Sequence, residues 1–171
     1  MHIIEPRHLD ATQQQQLAAL LQDCVNGGAS VGFLAPLSGQ EAAHYWQQLA
    51  RELHPTSLRC WLALHDDSIV GTVQLALCGK ANGRHRGEIQ KLLVHSRHRG
   101  RGIARQLMQA AEQAAREVGR SLLVLDTDSE SVAASLYPGW GWQPAGDIPA
   151  YAARPDGVLH ATRYFYKLLP G

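Results

Sequence analysis

Gly87 to Gly119, GEIQKLLVHSRHRGRGIARQLMQAAEQAAREVG, reads as a strand, a basic glycine loop and a helix in immediate succession, and the rest of the chain is placed relative to it. Ile89, Leu92, Leu93 and Val94 form an apolar run too short for a helix. The loop after it, Ser96 to Gly102, carries arginines and glycines and nothing to bury. A buried strand ending at a ligand is expected. From Ile103 the apolar positions Ile103, Leu107, Ala110, Ala111, Ala114 and Val118 recur at the helical period, and Gly119 supplies a left-handed stop.

The chemistry of that junction is anion binding. The first turn of a helix leaves backbone N–H groups unpaired and carries the positive end of the helix dipole. Gly100 and Gly102 let the backbone close on a phosphate, while Arg97, Arg99, Arg101 and Arg105, with His95 and His98, gather positive charge at the same point. An ordinary helix entry with a solvated basic face is the competing reading, weakened by the strand before the loop and the amphipathic helix after it. Two familiar phosphate loops do not fit. Arg105 stands where the dinucleotide fingerprint needs its third glycine, although Asp126 ends a later strand where a ribose-binding acid would stand, and no Gly-Lys-Ser/Thr ending is present.

The segment Arg99-Gly100-Arg101-Gly102-Ile103-Ala104 resembles the acetyl-CoA loop of the GNAT N-acetyltransferases, Gln/Arg-x-x-Gly-x-Gly/Ala. The rest of the chain follows in the family's order. His2 to Glu5 reads as a strand. A helix capped by Asp10 or Thr12 runs to Asn26-Gly27-Gly28, and a second opens with a capping box at Ser38-Gly39-Gln40-Glu41 and ends at His54-Pro55. Leu58 to Leu64 and Ile69 to Leu77 alternate around Asp66-Asp67-Ser68 as a hairpin. After the central helix come an apolar strand, Ser121 to Thr127, and a short helix, Ser129 to Tyr137, that Pro138 ends. Two closing strands, Trp140 to Gly146 and Ala161 to Leu169, are expected on either side of a long loop. The resemblance implies one domain over residues 1–171 of α/β type, with a central mostly antiparallel mixed sheet of six to seven strands flanked by about four helices.

Composition bounds the rest. With 16 Lys and Arg against 15 Asp and Glu, the chain lacks the global positive field of a nucleic-acid binder, so the basic loop is a local device. Three cysteines, Cys24, Cys60 and Cys78, stand singly in apolar surroundings without metal spacing, which fits a reducing cytoplasm. No basic-then-apolar leader and no bilayer-length apolar run occurs, so a soluble protein with no membrane partner is expected, as a monomer or homodimer. His95 and His98 at i, i+3 have no carboxylate or thiolate at suitable spacing, and no metal is expected.

An amine attacks a thioester only as the free base, so acyl transfer needs an acceptor for the proton of an ammonium of pKa roughly 9 to 10. Glu88 and Asp126, at the ends of neighbouring core strands, are the carboxylates in place. A strand-edge ion pair of Glu88 with Lys91 or Arg86, and a helix-capping role for Asp126, are the structural alternatives. By resemblance, Glu88 matches the general base of some GNAT members, and Tyr137 occupies the position of the tyrosine that protonates the departing thiolate. The resemblance also implies acetyl-CoA as co-substrate. Its pyrophosphate would take the N–H groups from Arg99 through Gly100, Arg101, Gly102 and Ile103 to Ala104. Its pantetheine arm would lie along the main chain of Leu92, Leu93 and Val94. Glu130 stands where the family often has Asn, leaving Ser129 or Ser131 to substitute. Within the family, GEIQKLLVH, LLVLDT, the Tyr137 to Tyr151 segment and the FYK ending look like the tabtoxin-resistance type, which acetylates a β-lactam amino acid. That points to a small-molecule amine acceptor. Arg154 and Arg163 are the nearest cations by chain position for its carboxylate. Acetylation of a protein lysine or N-terminus, and a non-catalytic acyl-CoA binding module, are the alternatives.

Overall fold

The computed structural model describes residues 1–170. Its elements are β1 (His2–Ile4), α1 (Ala11–Asn26), α2 (Gly39–Glu52), β2 (Leu58–His65), β3 (Ser68–Leu77), β4 (Arg86–Val94), α3 (Ile103–Glu117), β5 (Leu122–Asp128), α4 (Val132–Leu136), β6 (Gln143–Ala153) and β7 (Leu159–Leu168). The strands form one sheet in the order β1-β2-β3-β4-β5-β7-β6. Every neighbouring pair is antiparallel except β4 and β5. This is the mixed α/β architecture expected, with seven strands and four α-helices among the described residues.

Local chemistry accounts for the boundaries. Asp10, not Thr12, caps α1: Gln13 N donates to its carboxylate at 2.8 Å, and Asp10 N donates back to Gln13 Oε1 at 3.0 Å, a full capping box. At α2 only the first half of the expected box forms, with Glu41 N donating to Ser38 Oγ at 3.1 Å. The β2–β3 hairpin turns on Asp66 and Asp67 at φ 48° and 61°, the paired positive φ of a primed turn that Asp tolerates.

Two apolar layers sandwich the sheet. On one face α3 buries Ile103, Leu107, Met108, Ala111, Ala114 and Ala115 against Val73, Leu75, Ile89, Leu123, Leu125 and Phe165. On the other, α1 and α2 pack Leu17, Leu21, Trp46 and Leu49 over Cys60, Leu62, Ile69 and Leu93. The apolar stripe expected of α3 is shifted at its edges, since Val118 is exposed and Ala110 half-buried, whereas Glu112 is 5% exposed.

The closing strands differ most from expectation. Trp140 belongs to a 3₁₀ turn, Tyr137–Trp140, that continues α4 through Pro138, and β6 runs on to Ala153, so the long loop contracts to a hairpin turn around Asp156-Gly157. Prolines at 144 and 149 hid this strand. Both lie where the β6–β7 register breaks, between Pro144 and Gly146 and between Ile148 and Ala152, on an edge strand that tolerates a missing N–H.

Glu112 ties this end to α3. It accepts from Trp142 Nε1 at 3.0 Å and from Lys167 Nζ at 2.7 Å, with Arg116 at 3.8 Å. Removing one member of such a buried network strands the others. Glu112→Ala is therefore expected to lower the unfolding free energy by about 3 kcal/mol in urea titrations, and a loss below about 1 kcal/mol would show the network to be dispensable.

Candidate active site

The site begins with a fault in β4. Thr72 faces Leu93 and Gln74 faces Gln90, so Lys91 and Leu92 together stand opposite Val73 alone, a bulge in which Lys91 takes φ 49°. The apolar pattern slips by one there. Ile89, Leu92 and Val94 all pack on the α3 side, and Leu93 turns to the α1–α2 side. On the other flank, β4 and β5 pair only at Arg86–Leu122, Gly87–Leu123 and Glu88–Val124, after which the strands part.

A cavity of about 440 Å³ fills the gap. Ile89, Leu125 and Tyr137 reach it from the α3 side, and Glu88, Lys91 and Asp126 also line it. Asp126 lies two residues beyond Val124, the partner of Glu88, so the alternation of a strand sets both carboxylates on the same face. The cavity therefore passes through the sheet. Glu88 enters no ion pair among the described residues, which removes the strand-edge reading. Asp126 does not cap α4, whose cap is Ser131, but stands 3.1 Å from the buried Thr162 hydroxyl, which also reaches the Thr127 carbonyl at 3.0 Å.

Tyr137 is 4% exposed, wedged against Trp140, Trp142 and Phe165. Burial pushes its hydroxyl pKa up, and the Asp126 charge adds to the shift. Tyr137 opens the 3₁₀ turn that follows α4 and lines the cavity.

Beyond β4 the basic loop is braced from α1. Asp23 accepts from Ser96 N and Oγ, both at 2.7 Å, and lies 3.8 Å from His95 Nε2, a carboxylate partner that sequence spacing did not show. Hydrogen bonds from Ser96 and the charges of His95 and Arg99 hold Asp23 below the usual carboxylate range against its desolvation. Arg99 folds back, donating Nε to the Val94 carbonyl at 3.1 Å, so that carbonyl is already engaged. Gly100 and Gly102 take φ 73° and 76°, and a Cβ on either would meet nothing within 4 Å. The open space above them, capped by the free first turn of α3 and flanked by exposed Arg97, Arg101 and Arg105, fits an anionic diphosphate. Ile103 is buried and anchors the helix, with Ala104 half-buried beside it.

Three expectations change. Arg154 is not free for a ligand: it pairs with Asp128 through two hydrogen bonds and with Glu130 at 2.7 Å. Arg163 is held by Asp147 at 2.6 and 2.9 Å. Ser131, not Ser129, lines the cavity, while Ser129 N donates to the Ala161 carbonyl. Asp128, Glu130 and His160 have ligating atoms within 4.8 Å of one another, but Arg154 already occupies both carboxylates. Sequence reasoning missed Lys91, Tyr151 and Thr162. Only Lys91 left a trace, the one-residue slip in the apolar run of β4.

Residues 17–140 match the model of the Acetyltransferase (GNAT) family. Among curated relatives, N-acetyltransferase 8B of Rattus norvegicus is 38% identical over 101 residues, 57% of this chain and 46% of that protein. The chain thus spans about half the length of the curated relatives it matches. Among solved structures, ribosomal-protein-alanine N-acetyltransferase from Brucella melitensis superposes with TM-score 0.76 at 19% identity, over 99% of this chain and 100% of that one. A Salmonella typhimurium protein solved with acetyl-CoA superposes with TM-score 0.77 at 16% identity, over 100% and 96%. At such identities these two show the fold. Among the described residues no helix is long and apolar enough to cross a membrane.

The Arg154 hydrogen bonds hold the Asp128 carboxyl below the usual range. A depressed folded-state pKa contributes stability that is full above the unfolded value of about 3.9 and is lost as pH falls through the folded one. Arg154→Ala should therefore lower the melting temperature at neutral pH, by a difference that closes as the pH is taken below about 4. A difference independent of pH would assign the effect to lost packing.

Proposed function

The chain belongs to the GNAT acetyltransferase family, and from that premise we propose that it acetylates the free amino group of a small amino acid, of the tabtoxin-type β-lactam class, as a detoxifying or antibiotic-resistance activity. The observation that carries this reading is the small cavity through the sheet at the parting of β4 and β5, with two carboxylates on one face. A thioester approaching along β4 and an amine entering beside Glu88 and Asp126 meet inside it.

In this reading the loop from Arg99 to Ala104 holds the pyrophosphate of acetyl-CoA, and the main chain at the β4 bulge lines its pantetheine arm. Glu88 or Asp126 accepts the ammonium proton, directly or through water. The amine nitrogen attacks the thioester carbonyl, the C–S bond breaks, and the departing thiolate takes the Tyr137 hydroxyl proton. Burial keeps the phenol protonated, so its O–H is present to donate to the sulfur as charge develops there. Three free cysteines, two of them buried, support a reducing cytoplasm, and we take the protein to act as a monomer or homodimer.

A second reading, acetylation of a protein N-terminus or lysine, is favoured by β6, a sheet edge exposed from Gln143 to Ala152 that passes the cavity at Tyr151. Thiol release from acetyl-CoA separates the readings. With amino acids, polyamines and N-terminal peptides in direct competition, small amino acids should be the preferred acceptors and spermidine a poor one. Preferred turnover of the peptides would install the second reading, and no turnover with any amine would leave an acyl-CoA binding module. Tyr137→Phe should lower kcat about 10² to 10⁴-fold with little change in acetyl-CoA affinity, and full activity in that variant would confine Tyr137 to packing.

A further inference from the structure

We propose that Lys91 is the carboxylate-recognition residue of the acceptor site, selecting amines that carry an anionic group over neutral or polycationic ones. The proposal deepens the small amino acid reading above and rests on it.

Lys91 is the extra residue of the β4 bulge, at a positive φ of 49° where glycine would be the unstrained choice. That bulge places a long cationic side chain on the wall of the cavity. The ammonium lies 5.8 Å from the centre of the Tyr45 ring, and a Cβ at Gly32 would stand 3.8 Å from it, so it sits between α2 and the loop after α1. Tyr45 is itself fixed, accepting from Gln74 Nε2 at 3.0 Å and meeting Phe33 edge-on at 5.3 Å.

The other cations that could serve are spent. Arg154 and Arg163 are paired with carboxylates, and His160, on the cavity wall, lies 3.7 Å from Glu130. Lys91 has no ion pair or hydrogen bond among the described residues, although it is half-buried and shares its cavity with Glu88 and Asp126. Burial holds its pKa below the ordinary lysine value, against the attraction of Asp126 and Glu88, which do not contact it. An ammonium so placed, over an aromatic face and with no carboxylate in contact, is completed by an anion that reaches it in the cavity. The diphosphate-binding loop lies beyond the far end of β4, so the anion that reaches Lys91 belongs to the acceptor. The amine of an amino acid is then drawn to Glu88 and Asp126 while its carboxylate faces Lys91. Spermidine has charge of the wrong sign for that contact.

The test compares L-amino acids with their carboxamides in thiol release by the wild-type protein, Lys91→Arg and Lys91→Gly. Lys91→Gly keeps the left-handed backbone unstrained, so the bulge survives. The wild type should prefer acids to amides at least 10-fold in kcat/KM, through KM, and Lys91→Gly should bring the ratio to about 1 while Lys91→Arg retains a preference for the acid. Equal use of acids and amides by the wild type, or an unaltered ratio in Lys91→Gly, overturns the proposal. Binding is read separately, by thermal shift of the CoA-loaded protein with N-acetyl amino acids and their amides. A shift with the acids alone, abolished in Lys91→Gly, supports the proposal even where no free amino acid turns over, in which case the small-acceptor reading fails by itself. No acid-specific shift, or a loss of acetyl-CoA affinity in Lys91→Gly, overturns the assignment of Lys91 to the acceptor.

Discussion

The parallel contact between β4 and β5 is the constraint on which the rest depends. Parallel pairing is available for three residue pairs only, and beyond Glu88 and Val124 the two strands have no ladder in common. On the other side of β4 the bulge at Lys91 turns the strand further while the register with β3 is recovered at Leu93. A sheet that would otherwise be continuous thereby acquires a slot through its middle. Burying α3 on one face and α1 with α2 on the other leaves that slot as the passage between the two sides.

Charge is distributed around the slot with some economy. At its rim and beyond it, acids and bases are matched: Arg154 with Asp128 and Glu130, Arg163 with Asp147, Lys167 with Glu112. Arg154 and Lys167 fasten the β6–β7 hairpin to β5 and to α3, and Arg163 ties its two strands together. Inside the slot, Glu88, Asp126 and Lys91 line one cavity without an ion pair between them. Groups locked together give rigidity, and groups held apart remain available to a ligand.

Much of this was legible in the chain. Element order, the Asp10 cap, the Asp66-Asp67 turn and the glycine loop rest on local rules, because capping, positive φ and apolar period act within a few residues. What escaped reading depends on contacts distant in sequence. Strand β6 was hidden because edge position and two register breaks, rather than propensity, decide whether Pro144 and Pro149 are tolerated. Arg154 looked available because its acids, Asp128 and Glu130, lie at the end of β5 and on the turn after it, and the Glu112 network was invisible because Trp142 and Lys167 reach α3 only in three dimensions. Lys91 was nearly readable: an apolar run of Ile89, Leu92, Leu93 and Val94 cannot keep a strict two-residue alternation, and the slip marks the bulge.

Beside β4 and β5, two segments remote in the chain also line the cavity, the loop after α1 and the β6–β7 hairpin, and a backbone hydrogen bond joins them, Ala35 N donating to the Pro155 carbonyl at 2.9 Å. The loop after α1 and the turn around Asp156-Gly157 lie outside the strands, so the sheet constrains them less than it does β6 and β7. Their shared bond means that they do not drift independently. A change in length on one side of that bond displaces the other. Grafting one without its counterpart would give a folded protein whose pocket fits neither parent's substrate.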